Sequence, residues 1–181
     1  ISDAFEQSRS GETLVNMMKL DMLVGSGGVL SHAPRRNQAA RMLIDAFLPE
    51  GITQLAVDSI FMMPQLGILS TLHPKAAIEV FEKDCLIRLG TCIAPVGSQK
   101  PDNPVLTYEC LLPNKKLEGT LFPGELKLIP VPYKKVDIKL NPGKGLNLGA
   151  GKNEMFTTQI KVKQTPKSKK FTYDLINAPE N

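Results

Sequence analysis

Three glycines within four residues, directly after a short apolar run, are the part of this chain best suited to hold a ligand. The segment reads Asp21-Met-Leu-Val-Gly25-Ser-Gly-Gly28 and continues Val29-Leu-Ser-His-Ala-Pro34-Arg-Arg36. An apolar strand that empties into glycines lets the backbone approach a ligand closely and take up positive φ at little steric cost. The turn amides can then meet a phosphate or a ribose hydroxyl. The same spacing also serves a plain strand-to-helix turn, and spacing alone leaves both readings open. No G-x-G-x-x-G fingerprint with an acidic residue about twenty positions on is completed, and no G-x-x-x-x-G-K-[ST] occurs, which disfavours the Rossmann and P-loop classes.

Other side chains near this segment have two readings each. Arg35 or Arg36 could lay a guanidinium plane over an adenine ring. Alternatively both are surface residues at a helix start, where cations are mildly unfavourable against the dipole. His32 reads as a hydrogen-bonding loop residue, because spacing places no nucleophile or carboxylate beside it. Asp58 follows an apolar run and could cap the next helix or contact Mg²⁺; capping is the commoner fate. Met62 and Met63 read as packing residues.

The remaining candidates argue against metal or redox chemistry. Cys85, Cys92 and Cys110 show no C-x-x-C spacing, and His32 and His73 lie far apart. Reduced core thiols of a cytoplasmic protein account for the cysteines. Gly143-Lys-Gly145 and Gly149-Ala-Gly-Lys152 resemble phosphate loops, but between expected strands and without a following helix they read as hairpin turns.

These residues need elements to position them. A helix is expected over Glu12–Leu20 and a buried strand over Asp21–Val24. A second helix runs from Asn37, with Ala40, Leu43, Ile44 and Phe47 at helical spacing, until Pro49-Glu-Gly51 stops it. Leu55–Val57 reads as a strand, and a short helix is expected within residues 59–72. From Pro74, with Lys75, Glu79 and Lys83 four apart and Ala77, Val80, Phe81 and Cys85 on another face, a helix is expected to reach Leu89-Gly90. Pro95 to Pro104, with three prolines and a glycine, reads as a linker. Beyond it short alternating runs predict strands over Val105–Cys110, Thr120–Phe122, Glu125–Ile129, Lys135–Leu140, Met155–Val162 and Lys170–Leu175. The fold class is therefore α/β followed by mostly β, with a first unit over 1–97 and a small β barrel or sandwich over 98–181.

Composition sets the limits. The 181 residues are 42% apolar and 22% charged, an ordinary globular balance. No run reaches the roughly 18 apolar residues of a membrane-spanning helix. Residues 1–100 hold 9 Lys+Arg against 10 Asp+Glu, and residues 101–181 hold 13 against 8. All arginines lie in the first half, so the second half is lysine-rich, which suits a solvated β surface better than planar recognition. A modest surplus with few aromatics makes nucleic acid an unlikely partner.

The run Val24–Arg36 resembles the late nucleotide-binding segment of the actin/Hsp70/sugar-kinase superfamily, whose core is RNase H-like. More narrowly, Gly25–Arg36, Met42–Gly51, Val57–Gly67 and Arg88–Gly97 are similar to the MutL-type accessory proteins of glutamate mutase, which are unrelated to the mismatch-repair protein of that name. The resemblance is close over about residues 20–97 and looser through Leu117–Gly151. It implies a C-terminal portion of an ATP-dependent, chaperone-like reactivating factor for an adenosylcobalamin-dependent mutase, for example a glutamate or ornithine mutase. It implies ATP or ADP with Mg²⁺ as cofactor of the complete protein, and Gly25, Ser26, Gly27, Gly28, Arg35 and Arg36 on the adenosine side. The family's Asp-x-Gly-Ser/Thr phosphate motif is absent here, so a further lobe, in cis or in trans, is expected to supply it. The chain alone is then expected to lack ATPase activity. The tail Phe171–Pro179 also departs from the glycine-rich, arginine-bearing end usual in the family. The rival reading is a non-catalytic interaction domain whose glycine turn is purely structural.

Overall fold

A computed structural model describes residues 15–112, 115–130, 135–161 and 173–177. Among these residues nine strands form two sheets. The first has five strands in the order β1 (Met22–Gly25), β2 (Gly51–Asp58), β3 (Leu86–Ala94), β9 (Tyr173–Asn177) and β6 (Leu126–Pro130). The second is antiparallel throughout, in the order β5 (Lys115–Leu121), β4 (Leu106–Leu112), β7 (Lys135–Pro142) and β8 (Phe156–Lys161). Residues after 98 do not form one sheet: β6 and β9 both return to the first.

The first sheet is mixed. β1 runs parallel to β2 with Leu23 opposite Leu55, and β3 runs antiparallel to β2 with a register shift at Leu55/Ala56. β9 lies parallel to β3 and antiparallel to β6. Four helices accompany the strands, α1 (Gly28–Ser31), α2 (Arg36–Phe47), α3 (Met63–Ser70) and α4 (Pro74–Val80). α2 buries Ala39, Ala40, Leu43 and Ile44, one face at helical spacing, against Leu55 and Val57 of β2 and Leu89, Cys92 and Ala94 of β3. It ends where Leu48 turns left-handed (φ 45°) and its amide closes on the Ile44 carbonyl, just before Pro49.

The other face of this sheet meets the second. Ile93, Ile129 and the partly buried Ile52 share a cluster with Val105, Leu106, Tyr108, Cys110, Ile138 and Leu140. Neighbouring positions on β3 thus serve different cores, Cys92 toward α2 and Ile93 toward the second sheet, as the two-residue repeat of a strand dictates. Enclosure pushes the Cys92 thiol up to about 12, so it behaves as an apolar residue.

Several sequence expectations are corrected. Of the helix expected over Glu12–Leu20, the described part holds a single 3₁₀ turn, Met17–Lys19, capped by the Asn16 side chain; residues 12–14 lie outside the described residues. The helix from Pro74 stops at Val80, passes through a wide turn over Phe81–Cys85, and gives way to β3 at Leu86. Leu86, Leu89, Cys92, Ile93 and Ala94 are all buried, and burial on two faces outweighs the i,i+4 charge pattern that suggested helix. Strand β2 begins at Gly51, four residues earlier than expected, and β5 begins at Lys115 rather than Thr120. The start of the strand expected from Lys170 and the end of the one expected to reach Val162 lie outside the described residues.

The loop carrying Gly143–Gly145 and Gly149–Lys152 closes on itself. The Asn147 side-chain oxygen accepts from the amides of Gly149 and Gly151 at 2.8 and 3.0 Å, while its backbone bridges Val96. Leu146 and Leu148 anchor the loop in the core. These amides are occupied within the loop rather than directed at a ligand. Among the described residues no helix is long and apolar enough to cross a membrane.

Candidate functional site

The glycine turn sits at the C-terminal end of β1, where parallel strands of α/β sheets commonly present ligands. Gly25 ends the strand and is buried, and a side chain there would strike Leu30 and Leu43. Gly27 adopts φ 110°, a conformation that L side chains rarely take. Gly28 differs from both. Its backbone carries no positive φ, and a β-carbon added there would meet nothing within 4 Å. The space over Gly28 is therefore open.

That space is a shallow groove of about 440 Å³, within the size range of small-ligand sites. Val29, Ala33, Pro34 and Met42 supply its apolar surface, and His32, Gln38, Arg41 and Asp45 its polar groups. Positions 38, 41, 42 and 45 follow helical i, i+3, i+4, i+7 spacing on the face of α2 opposite its buried stripe. The signal for them in the sequence is the polar spacing of Gln38, Arg41 and Asp45 just after the glycine turn; of the groove's polar groups, only His32 is among the residues weighed from sequence.

The two arginines have other positions. Arg36 donates from its guanidinium to the Ser31 carbonyl at 3.1 Å, closing the end of α1. Arg35 precedes α2, and its amide donates to the Gln38 side-chain oxygen at 3.0 Å, the reciprocal half of a capping arrangement. Neither lines the groove, whereas Arg41 does. His32 turns its Nδ1 to the Gly28 carbonyl (3.1 Å) and the Ser31 hydroxyl (2.9 Å), so its ring is held against α1 and faces the groove from a fixed position.

Behind the turn lies a fully buried carboxylate. Asp58, at the end of β2, is 0% exposed. One oxygen accepts from the Met63 amide at 2.9 Å and from the Ser26 hydroxyl at 3.4 Å; the other accepts from the Ile60 amide at 3.3 Å. Asp58 therefore caps the entry to α3 and also ties it to the glycine turn, two tasks joined in one residue.

The groove offers an apolar patch with polar groups around it and a glycine that leaves the approach clear. Mg²⁺ does not fit. Among the described residues no three His, Cys, Asp or Glu side chains gather as a metal site, and both Asp58 oxygens already accept amide protons.

No curated protein and no solved structure matches the chain. A match does exist at the level of families and covers the glycine turn, the groove and the α3–α4 segment: residues 6–85 match the family described as MutL protein, the one associated with glutamate mutase.

Proposed function

We propose that this chain supplies the adenosine-binding side of an ATP site in a factor that serves a cobalamin-dependent mutase. The observation that carries the reading is the groove over Gly28, open above an unstrained glycine and bordered by His32, Arg41 and Asp45. The family match over residues 6–85 supports the mutase association. The actin/Hsp70-like fold, nucleotide-driven reactivation of the mutase, and a second lobe bringing the phosphate motif and the metal belong to the same proposal. In it the chain alone binds adenine nucleotide weakly and does not hydrolyse it, since among the described residues no cluster of three His, Cys, Asp or Glu side chains is gathered to hold Mg²⁺.

Calorimetric titration of ATP and of ADP into the wild-type chain and into Gly28→Val tests this. Valine at 28 projects into the groove without a left-handed backbone, so lost binding reads as an occupied site rather than a broken turn. Weak binding in wild type that the substitution abolishes is the expected result. Equal affinity in both proteins, or silence of the wild type at millimolar nucleotide both alone and with the complementary lobe present, overturns the reading.

A second reading, a non-catalytic interaction domain, is favoured by one separate feature: the apolar surface of the α3–α4 hairpin.

A further inference from the structure

α3 and α4 pack on each other and cover little else. Leu66 and Ala77 are buried between and beneath them, yet most other residues from Ile60 to Val80 face solvent. Several of these are large and apolar: Ile68 is 75% exposed, Leu72 78%, Ile78 62% and Phe61 53%, with Ile60, Leu69 and Val80 also exposed. From Met63 to Leu72 there is no charged residue. A helix whose apolar residues are not gathered on one face, with only Gln65 and Ser70 polar, cannot cover them all within the protomer and favours a further partner. Phe61 adds a second sign. It holds φ 57°, a strained conformation for an aromatic residue, and in that conformation its ring remains half exposed.

We infer that the α3–α4 hairpin is a self-association surface, and that its partner is a second copy of this chain. Two observations select a copy over other partners. The first is area. The seven exposed side chains amount to about four fully exposed large residues, on the order of 600–800 Å². A standard stable interface takes about 800 Å² from each partner. The second is charge. The hairpin carries Lys75 and Glu79 and no surplus of either sign from Ile60 to Val80, so two copies meet without repulsion, while a strongly acidic or basic partner finds nothing to complement. Two hairpins packed across a two-fold axis bury Ile68, Leu72 and Ile78 in a four-helix arrangement, with the exposed Phe61 rings at its ends. The nucleotide reading is not required for this.

Sedimentation velocity of the full chain from about 1 to 100 μM, spanning the usual range of subunit affinities, is the test. A dimer is expected. Ile68→Lys and Leu72→Lys alter side chains that point into water in the protomer, so each should leave the melting temperature of the monomer intact while weakening dimerisation by at least ~100-fold, the effect of burying an unpaired charge. Met155→Lys changes an equally exposed apolar residue outside the hairpin and should leave the dimer unchanged. A wild type that stays monomeric at the highest concentration overturns the inference. So does a dimer that Met155→Lys dissociates as readily as Ile68→Lys, or association that never closes at two copies.

Discussion

The two sheets bury apolar surface in different ways. The first is covered on both faces, by α2 on one side and the second sheet on the other, and of the eight residues of β2 six are buried, Ile52 is partly buried and Gln54 is exposed. The second is covered on one face only, and β4 alternates strictly, with Leu106, Tyr108, Cys110 and Leu112 inside and Thr107, Glu109 and Leu111 outside. Its outer face is dressed with charge. Lys116 reaches Glu109 at 2.7 Å and Glu118 at 3.0 Å, which offsets the placement of those two glutamates directly opposite each other on β4 and β5. A sheet between two layers takes its stability from burial, whereas a sheet with a wet face adds only small polar contributions on that face.

This contrast can be broken by substitution, beginning where the effect should be greatest. Leu55→Ala, at a fully buried position facing α2, should cost about 4 kcal/mol in denaturant unfolding. A loss below about 1 kcal/mol would show that α2 does not seal that face. Asp58→Ala strips acceptors from the Met63 and Ile60 amides and should cost about 3 kcal/mol, with raised hydrogen exchange at those two amides marking the cause. Unchanged exchange would mean the cap is not formed in solution. Gly25→Ala should cost about 2 kcal/mol, because the added methyl group meets Leu30 and Leu43 at under 3 Å. A neutral result would show that α2 can move off β1.

The smallest effect belongs to the outer face of the second sheet. The Lys116 ammonium, hydrogen-bonded to Glu109, holds the Glu109 carboxyl below its ordinary value of 4.5, aided by Lys139. Lys116 is in turn raised above 10.5 by its bonds to Glu109 and Glu118. A depressed carboxylate stabilises the fold above its unfolded value and loses that contribution as pH falls through the folded one. A raised amine stabilises below 10.5 and loses its share as pH climbs through the folded value. Glu109→Gln should therefore flatten the melting temperature between pH 5 and pH 3 only slightly, by thermal melts compared with wild type. An effect as large as that of Leu55→Ala would erase the distinction between the sheets.

The same contrast explains what could be read in advance. The strands of the wet-faced sheet announce themselves by alternation: Lys135–Leu140 falls inside an observed strand, and Val105–Cys110 does so from Leu106 onward. A strand buried on two faces has no such alternation, and the start of Leu86–Ala94 follows so closely on a helical charge pattern that the pattern predicts helix as far as Leu89-Gly90. The glycine turn was visible because conformation demands glycine at position 27. The groove was less so. Gln38, Arg41 and Asp45 acquire meaning only once α2 is laid beside Gly28, an arrangement set by tertiary packing. The link from Asp58 to Ser26 spans thirty-two positions and has no sequence signature at all.

The place of β9 bears on how the molecule is made. It lies inside the first sheet, between β3 and β6, although it is the last strand among the described residues. Once β3 has left the ribosome, roughly eighty further residues must follow before its neighbour appears, on the order of ten seconds of translation. Through that interval β3 presents an unpaired edge to solvent or to the next nascent chain. A protein shortened before Tyr173 is therefore expected to leave that edge of β3 open, and with it a site for pairing with other chains.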